Sequence, residues 1–241
     1  MKEKIYTIPL SEAYEEPSEC PFCKLEKRLE AEAVEYALGA SMMEPDSRIV
    51  SNEKGFCRRH FTKMSEQKGS ALSLALVLDT HMARVIEKME EIVGKKSASG
   101  LFKKKESAAD ALCSLLHETE QSCVICEKIE STLSKFACTF WELYKKEPEF
   151  HEKVNNSKGF CLPHFALLLQ MAGEELSGSK KEELCRELIE LELANLKRVG
   201  EDVNWFTKKF DYRYNDAPWK ESKDAPPRTI EKLVKFIDSE K

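Results

Sequence analysis

Cys20-Pro21-Phe22-Cys23, followed by Gly55-Phe56-Cys57-Arg58-Arg59-His60, is the stretch on which the reading of this chain turns. Both pieces return later, as Cys123-Val124-Ile125-Cys126 and Gly159-Phe160-Cys161-Leu162-Pro163-His164. Cys23 and Cys57 stand 34 positions apart, and Cys126 and Cys161 stand 35 apart. Cys20 to Cys123 is 103 positions, and His60 to His164 is 104. A rare pattern at nearly constant offset implies an internal repeat of roughly a hundred residues.

Each repeat offers three thiols and one imidazole, a complete tetrahedral set for structural zinc. Two residues between the cysteines let a tight turn bring both sulfurs onto one ion. The Cys-x-x-His pair is three apart, so a helix puts both side chains on one face. Gly55 and Gly159 allow a close approach or a positive-φ turn just ahead of that pair. The expectation is two zinc ions per chain, held by Cys20, Cys23, Cys57, His60, Cys123, Cys126, Cys161 and His164. Pairing within each repeat is the simpler arrangement, in which zinc clamps the base of a helical hairpin. Exchange of ligand pairs between the halves stays open.

Three other readings compete. An iron–sulfur cluster with one histidine ligand suits the ligand types, but the spacing matches none of the usual cluster signatures. A redox dithiol suits each CxxC, but thioredoxin-like placement needs a βαβ context that the sequence lacks. Buried cysteines without metal would explain one CxxC far better than matching ligand types in two registers. With four protein ligands, each zinc has no open position for water or substrate, so the pattern names no catalytic residue. Three thiolates around zinc leave a formal charge of about minus one. Arg58, Arg59 and Lys158 lie in sequence where they can offset it, although solvated helix faces explain them as well.

Composition narrows the class. The 241 residues include 38 Lys and Arg against 43 Asp and Glu, a net charge of -5, with nine cysteines. Such a chain is globular rather than disordered. Its mild acidity gives no electrostatic reason to bind nucleic acid or anionic lipid. The start is polar, and no apolar run approaches the roughly 20 residues of a membrane span. A cytoplasmic setting is expected, where persistent disulfides are disfavoured and ordered cysteine pairs read as ligands or redox thiols. No GxGxxG, P-loop, HExxH or GxSxG pattern is present.

Apolar periodicity predicts an all-α fold. It comprises two related helical-hairpin halves, each clamped by a Cys3His metal site, with a C-terminal aromatic tail and a capping helix. Helices are predicted over about 22–43, 57–93, 106–120, 124–146, 160–171 and 180–209, with turns at Pro45-Asp46-Ser47 and Glu147-Pro148-Glu149. The domain reading is 1–94 for the first metal-binding repeat, 95–105 for a basic linker, 106–200 for the second repeat and 201–241 for the aromatic segment. Cys113, Cys138 and Cys185 fall outside the pattern and read as small buried hydrophobes. His81 and His117 read as packing or surface residues, and His151 as a loop residue. Ile230, Leu233 and Ile237 mark the docking stripe of the capping helix.

Together with Lys209-Phe210-Asp211-Tyr212-Arg213 and Ala225-Pro226-Pro227-Arg228-Thr229-Ile230, the duplicated motifs resemble a bacterial family of uncharacterised cysteine-rich helical proteins. The resemblance covers most of the chain. It implies metal ligation and a bacterial cytoplasmic setting, and adds no catalytic role. The leading expectation is a non-catalytic, zinc-stabilised helical protein that acts as an interaction or adaptor module, as monomer or homodimer, with a protein partner. The alternative is a thiol-based redox or metal-responsive regulator.

Overall fold

A computed structural model describes residues 5–97 and 107–235. They form an all-helical protein, with no strand among the described residues. In chain order the helices are α1 (Thr7–Glu12), α2 (Pro21–Leu38), α3 (Pro45–Lys54), α4 (Arg58–Glu66), α5 (Ala71–Ser97) and α6 (Ala108–Gln121). Then come α7 (Val124–Lys146), α8 (Pro148–Asn155), α9 (Leu162–Glu175), α10 (Gly178–Lys208) and α11 (Ala225–Val234). Short 3-10 turns at Ala40–Met43 and Tyr212–Tyr214 complete the path. Among the described residues, no helix is long and apolar enough to cross a membrane.

Two of these helices stand where turns were predicted. Pro45 and Pro148 open α3 and α8 instead of closing the preceding helices. Proline lacks the N–H that a first-turn residue leaves unbonded anyway, and its fixed φ suits a helix start. His151 is therefore helical. Its Nε2 lies 3.0 Å from Glu187 Oε2, and its ring stacks on Tyr144 at 4.3 Å. α5 runs on to Ser97, past the start of the predicted linker. The rest of that linker, with Lys103-Lys104-Lys105, lies outside the described residues, as does Ile237.

The chain divides into two compact units. One comprises Met1–Arg28 with Ser131–Lys241, and the other Leu29–Glu130. The divisions fall inside α2 and inside α7.

The discontinuous unit has an aromatic core. Phe22, Phe140, Trp141, Tyr144 and Phe160 are all buried, and Trp141 Nε1 donates to the Leu168 carbonyl at 2.7 Å. Phe140 meets Phe160 edge to face at 5.7 Å and Phe22 at 6.2 Å. Such ring pairs add about 0.5–1.5 kcal/mol each beyond the area they bury. α11 packs on α9 and α10 of this unit. Its buried face is not the predicted apolar stripe. Ile230 and Leu233 are about half exposed, whereas Lys232 and Ala225 are buried.

The continuous unit has a lighter core: Ala33, Val34, Ala37, Leu38, Phe56, Met64 and Val77 are buried. Ser107 and Asp110 form a reciprocal capping box that starts α6. Along α5, Leu72, Leu76, Met82, Ile86 and Val93 remain exposed. Cys113 is also exposed, and Cys138 and Cys185 are half-buried, so none of the three is the fully buried hydrophobe expected from sequence.

Candidate metal centres

All four motifs fold in the same way. Cys20 and Cys123 immediately precede α2 and α7, while Cys57 and Cys161 are the N-caps of α4 and α9. The second residue of each pair, Cys23, Cys126, His60 or His164, sits three positions on, in the first turn. Residues three apart in a first turn share a face, so each pair presents two donor atoms at a helix N-terminus.

The structure brings all eight predicted side chains together in two groups of four. Cys20, Cys23, Cys161 and His164 form one, and Cys57, His60, Cys123 and Cys126 the other. Within each group all donor atoms lie within 4.8 Å of one another. The simpler pairing within a repeat is thereby corrected. Cys20 and Cys23 meet Cys161 and His164, Cys123 and Cys126 meet Cys57 and His60, and each group lies wholly inside one compact unit. The physical reason is the path of α2 and α7, whose first turns belong to different compact units from their last turns.

The distances suit one tetrahedral ion. Zinc with bonds of about 2.3 Å to sulfur and about 2.0–2.1 Å to nitrogen has S···S edges of about 3.8 Å and S···N edges of about 3.5 Å. In the first group, Cys23 and Cys161 sulfurs are 3.7 Å apart. His164 Nδ1 lies 3.5, 3.6 and 3.1 Å from the sulfurs of Cys20, Cys23 and Cys161. In the second, Cys57 and Cys126 sulfurs are 3.7 Å apart. There His60 Nδ1 lies 3.3, 3.1 and 3.4 Å from Cys57, Cys123 and Cys126.

Crowding makes both groups cation-seeking. Burial opposes a charged His60, but the Cys123 and Glu30 bonds win and raise it to about 9. His164 rises to about 11 for the same reasons, against burial and through Cys161, Cys20 and Glu26. Burial would raise Cys123, yet His60 pulls it down to about 6. Burial and the Cys123 charge push Cys126 up. Neighbouring sulfurs, Cys161 foremost, push Cys23 up. Three sulfurs this close cannot all ionise beside one another unless a cation sits among them. Two helix N-termini, each worth roughly +0.5 charge, aim at each group and favour thiolate.

The sequence reading missed the carboxylates behind the imidazoles. Each histidine turns Nδ1 to the sulfurs and Nε2 to a glutamate of α2. His60 Nε2 lies 3.1 Å from Glu30 Oε1, and His164 Nε2 lies 3.2 Å from Glu26 Oε2. The hydrogen bond to Glu30 fixes the His60 tautomer and raises its basicity as a ligand, while Glu26 faces His164 as a close ion-pair partner. Glu30 also accepts from Arg59 at 2.9 Å and Lys63 at 2.7 Å. Burial would raise its carboxyl, but His60, Lys63 and Arg59 hold it at about 2. Arg59 thus balances charge through Glu30, not by touching a sulfur. The available signal lay in register. At the positions of Glu26 and Glu30 relative to Cys23, the second motif has Ile129 and Leu133 relative to Cys126. Glu30→Gln keeps the shape and removes the charge. It is expected to weaken metal affinity at the His60 centre by about 10–100-fold, measured by competition with a chromogenic chelator.

Both glycines occupy the positive-φ conformation predicted for them, Gly55 at 64° and Gly159 at 74°. Each also admits a polar side chain that a β-carbon would displace. A Cβ on Gly55 would stand 2.3 Å from His81 Nε2, and one on Gly159 would stand 2.4 Å from Glu192 Oε2. His81 Nδ1 in turn lies 2.8 Å from the Asn52 carbonyl, which gives that histidine its place. Glu192 accepts from the Phe160 N–H at 2.7 Å, holding the loop that carries Cys161. Gly159→Ala is expected to destabilise the discontinuous unit by about 2 kcal/mol or more, from backbone strain plus the clash. A thermal or denaturant midpoint equal to the parent's would sink that expectation.

Fold and site define an all-helical protein with two separate clusters of three cysteines and one histidine, each built on the first turns of two helices. The chain belongs to a family of unknown function, DUF6062, whose profile matches residues 1–240. Comparison with curated proteins and with solved structures gave no match.

Proposed function

We propose that this chain is a zinc-stabilised helical protein with two structural zinc ions and no catalytic role, acting as an interaction or adaptor module in a bacterial cytoplasm. The observation that carries the metal reading is the pair of four-donor groups with single-ion edge lengths. An iron–sulfur cluster spreads its ligands over separate irons, which does not suit donor atoms that all lie within 4.8 Å. Sulfur-rich tetrahedral sites with one histidine favour zinc, and four protein ligands leave it no position for substrate. A reducing compartment keeps the six thiols available as ligands.

The interaction reading draws on α5. Leu72, Leu76, Met82, Ile86 and Val93 recur at the spacing of a helix face and stay exposed. Exposed apolar side chains aligned on one helix face suit a contact surface. A protein partner suits it, whether a second copy or another chain.

Native mass spectrometry tests both parts on protein made without added metal. The expected result is the chain mass plus two zinc ions. Iron with sulfide, or a metal content well below two after gentle purification, would overturn the metal reading. The same spectrum separates monomer from dimer.

A further inference from the structure

The two clusters differ in what surrounds them. Cys20 and Cys161 are 0% exposed, Cys23 is 5% and His164 is 1%. Phe22 lies against His164 with ring centroids 5.8 Å apart. Lys232 of α11 closes the loop ahead of Cys161, donating to the carbonyls of Lys158 and Phe160, the latter at 3.0 Å. In the other cluster His60 and Cys123 are each 2% exposed, but Cys57 is half-buried and Cys126 is exposed. The two accessible sulfurs are neighbours, 3.7 Å apart. Oxidation of a cysteine follows its thiolate character and its access to solvent. Zinc ligation makes every ligand sulfur a thiolate, so access decides between them.

Building on the zinc reading above, we propose that the Cys57–His60–Cys123–Cys126 centre is a hydroperoxide-sensitive modification site. Oxidation there joins Cys126 to Cys57 and expels that centre's zinc, while the buried centre keeps its ion.

The chemistry balances with a hydroperoxide as the two-electron oxidant. The Cys126 thiolate attacks the distal oxygen, the O–O bond breaks, and Cys126 becomes a sulfenic acid as hydroxide or alkoxide leaves and takes a proton. The Cys57 thiolate then attacks the Cys126 sulfur, forms the S–S bond and displaces hydroxide, which is protonated to water. Two thiolates lose one electron each and the peroxide gains both. The sulfurs need only close from 3.7 Å to about 2.05 Å. With two of its four ligands gone, the zinc leaves as Zn²⁺. A dithiol reductant reverses the step and reopens the site. The pairing joins two motifs and is not the disulfide within one CxxC that a redox dithiol would form.

The test uses the full chain with Cys113→Ser, which removes an exposed thiol outside both clusters. Zinc is counted by elemental analysis before hydrogen peroxide is added. A chromogenic indicator then follows release, and peptide mass mapping locates the disulfide. One zinc of two is expected to leave, at least about tenfold sooner than the second, with a Cys57–Cys126 disulfide and unmodified Cys20, Cys23 and Cys161. Reductant with added zinc should restore the starting count. Retention of both ions, their release together, or a disulfide confined to Cys123–Cys126 would overturn the proposal. A starting count of zero would defeat the zinc reading alone. The peroxide arm still decides in that case, because a Cys57–Cys126 disulfide supports the site and uniform oxidation of the six ligand thiols overturns it.

Discussion

With zinc in both centres, as proposed, its removal is expected to collapse the helical circular-dichroism signal by more than about half, and two equivalents of zinc should restore it. A structural zinc site contributes an apparent binding energy of about 10–16 kcal/mol at neutral pH. Whole domains are stable by only about 5–15 kcal/mol, so each ion weighs as much as the rest of the fold. The effect is large because the eight donor side chains cluster at the N-termini of four helices, α2, α4, α7 and α9. Without a cation, crowded thiols and imidazoles at those turns repel or protonate, and the helix starts lose their common anchor. The continuous unit, with its lighter core, should melt first. The measurement is ellipticity at 222 nm during chelation, with metal content followed in parallel. An unchanged spectrum after verified loss of both ions would show that packing alone holds the fold.

Lys232→Ala is expected to be the most damaging single change outside the ligands and glycines. The Lys232 side chain is 1% exposed, and burial pulls its pKa down. Its Nζ donates to two backbone carbonyls and lies 3.8 Å from Glu192 and 4.0 Å from Glu19. Truncation leaves those carbonyls and a buried Glu192 carboxylate without the cation. Breaking one partner of a buried ionic pair costs about 3–5 kcal/mol. Lys235→Ala is the control. Lys235 meets Glu26 at 3.0 Å but is 35% exposed, so its loss should cost less than about 1 kcal/mol. Denaturant midpoints in zinc-containing buffer compare the two, and equal shifts would defeat the argument.

Much of the candidate site was legible because its signals are local. Cys-x-x-Cys and Cys-x-x-His each place two donors on one helical turn, whatever the rest of the chain does. Gly55 and Gly159 precede their motifs where the backbone must enter a positive-φ turn, and both do. Helical periodicity likewise located α7 and α10. The misreadings at Pro45 and Pro148 came from treating proline as a terminator, when the same lack of an N–H also suits a helix start. Lys232 escaped notice because it sits among Ile230 and Leu233, whose spacing suggested an apolar docking face. What α11 meets is the carbonyl-lined loop ahead of Cys161, with the carboxylates of Glu192 and Glu19 beside it, so the charged residue is the one buried.

The sequence by itself determined the eight donor residues, their grouping in pairs and the helical class, since each depends on residues within one turn. Only the tertiary structure decided which pairs meet, which carboxylates stand behind the imidazoles and which sulfurs face solvent. Those outcomes depend on how helices distant in the chain pack. Two interchangeable CxxC pairs and two interchangeable Cys-x-x-His pairs carry nothing in their spacing that selects a partner. The paths of α2 and α7 through the two compact units make that selection. They join Cys20-x-x-Cys23 to Cys161-x-x-His164, and Cys123-x-x-Cys126 to Cys57-x-x-His60.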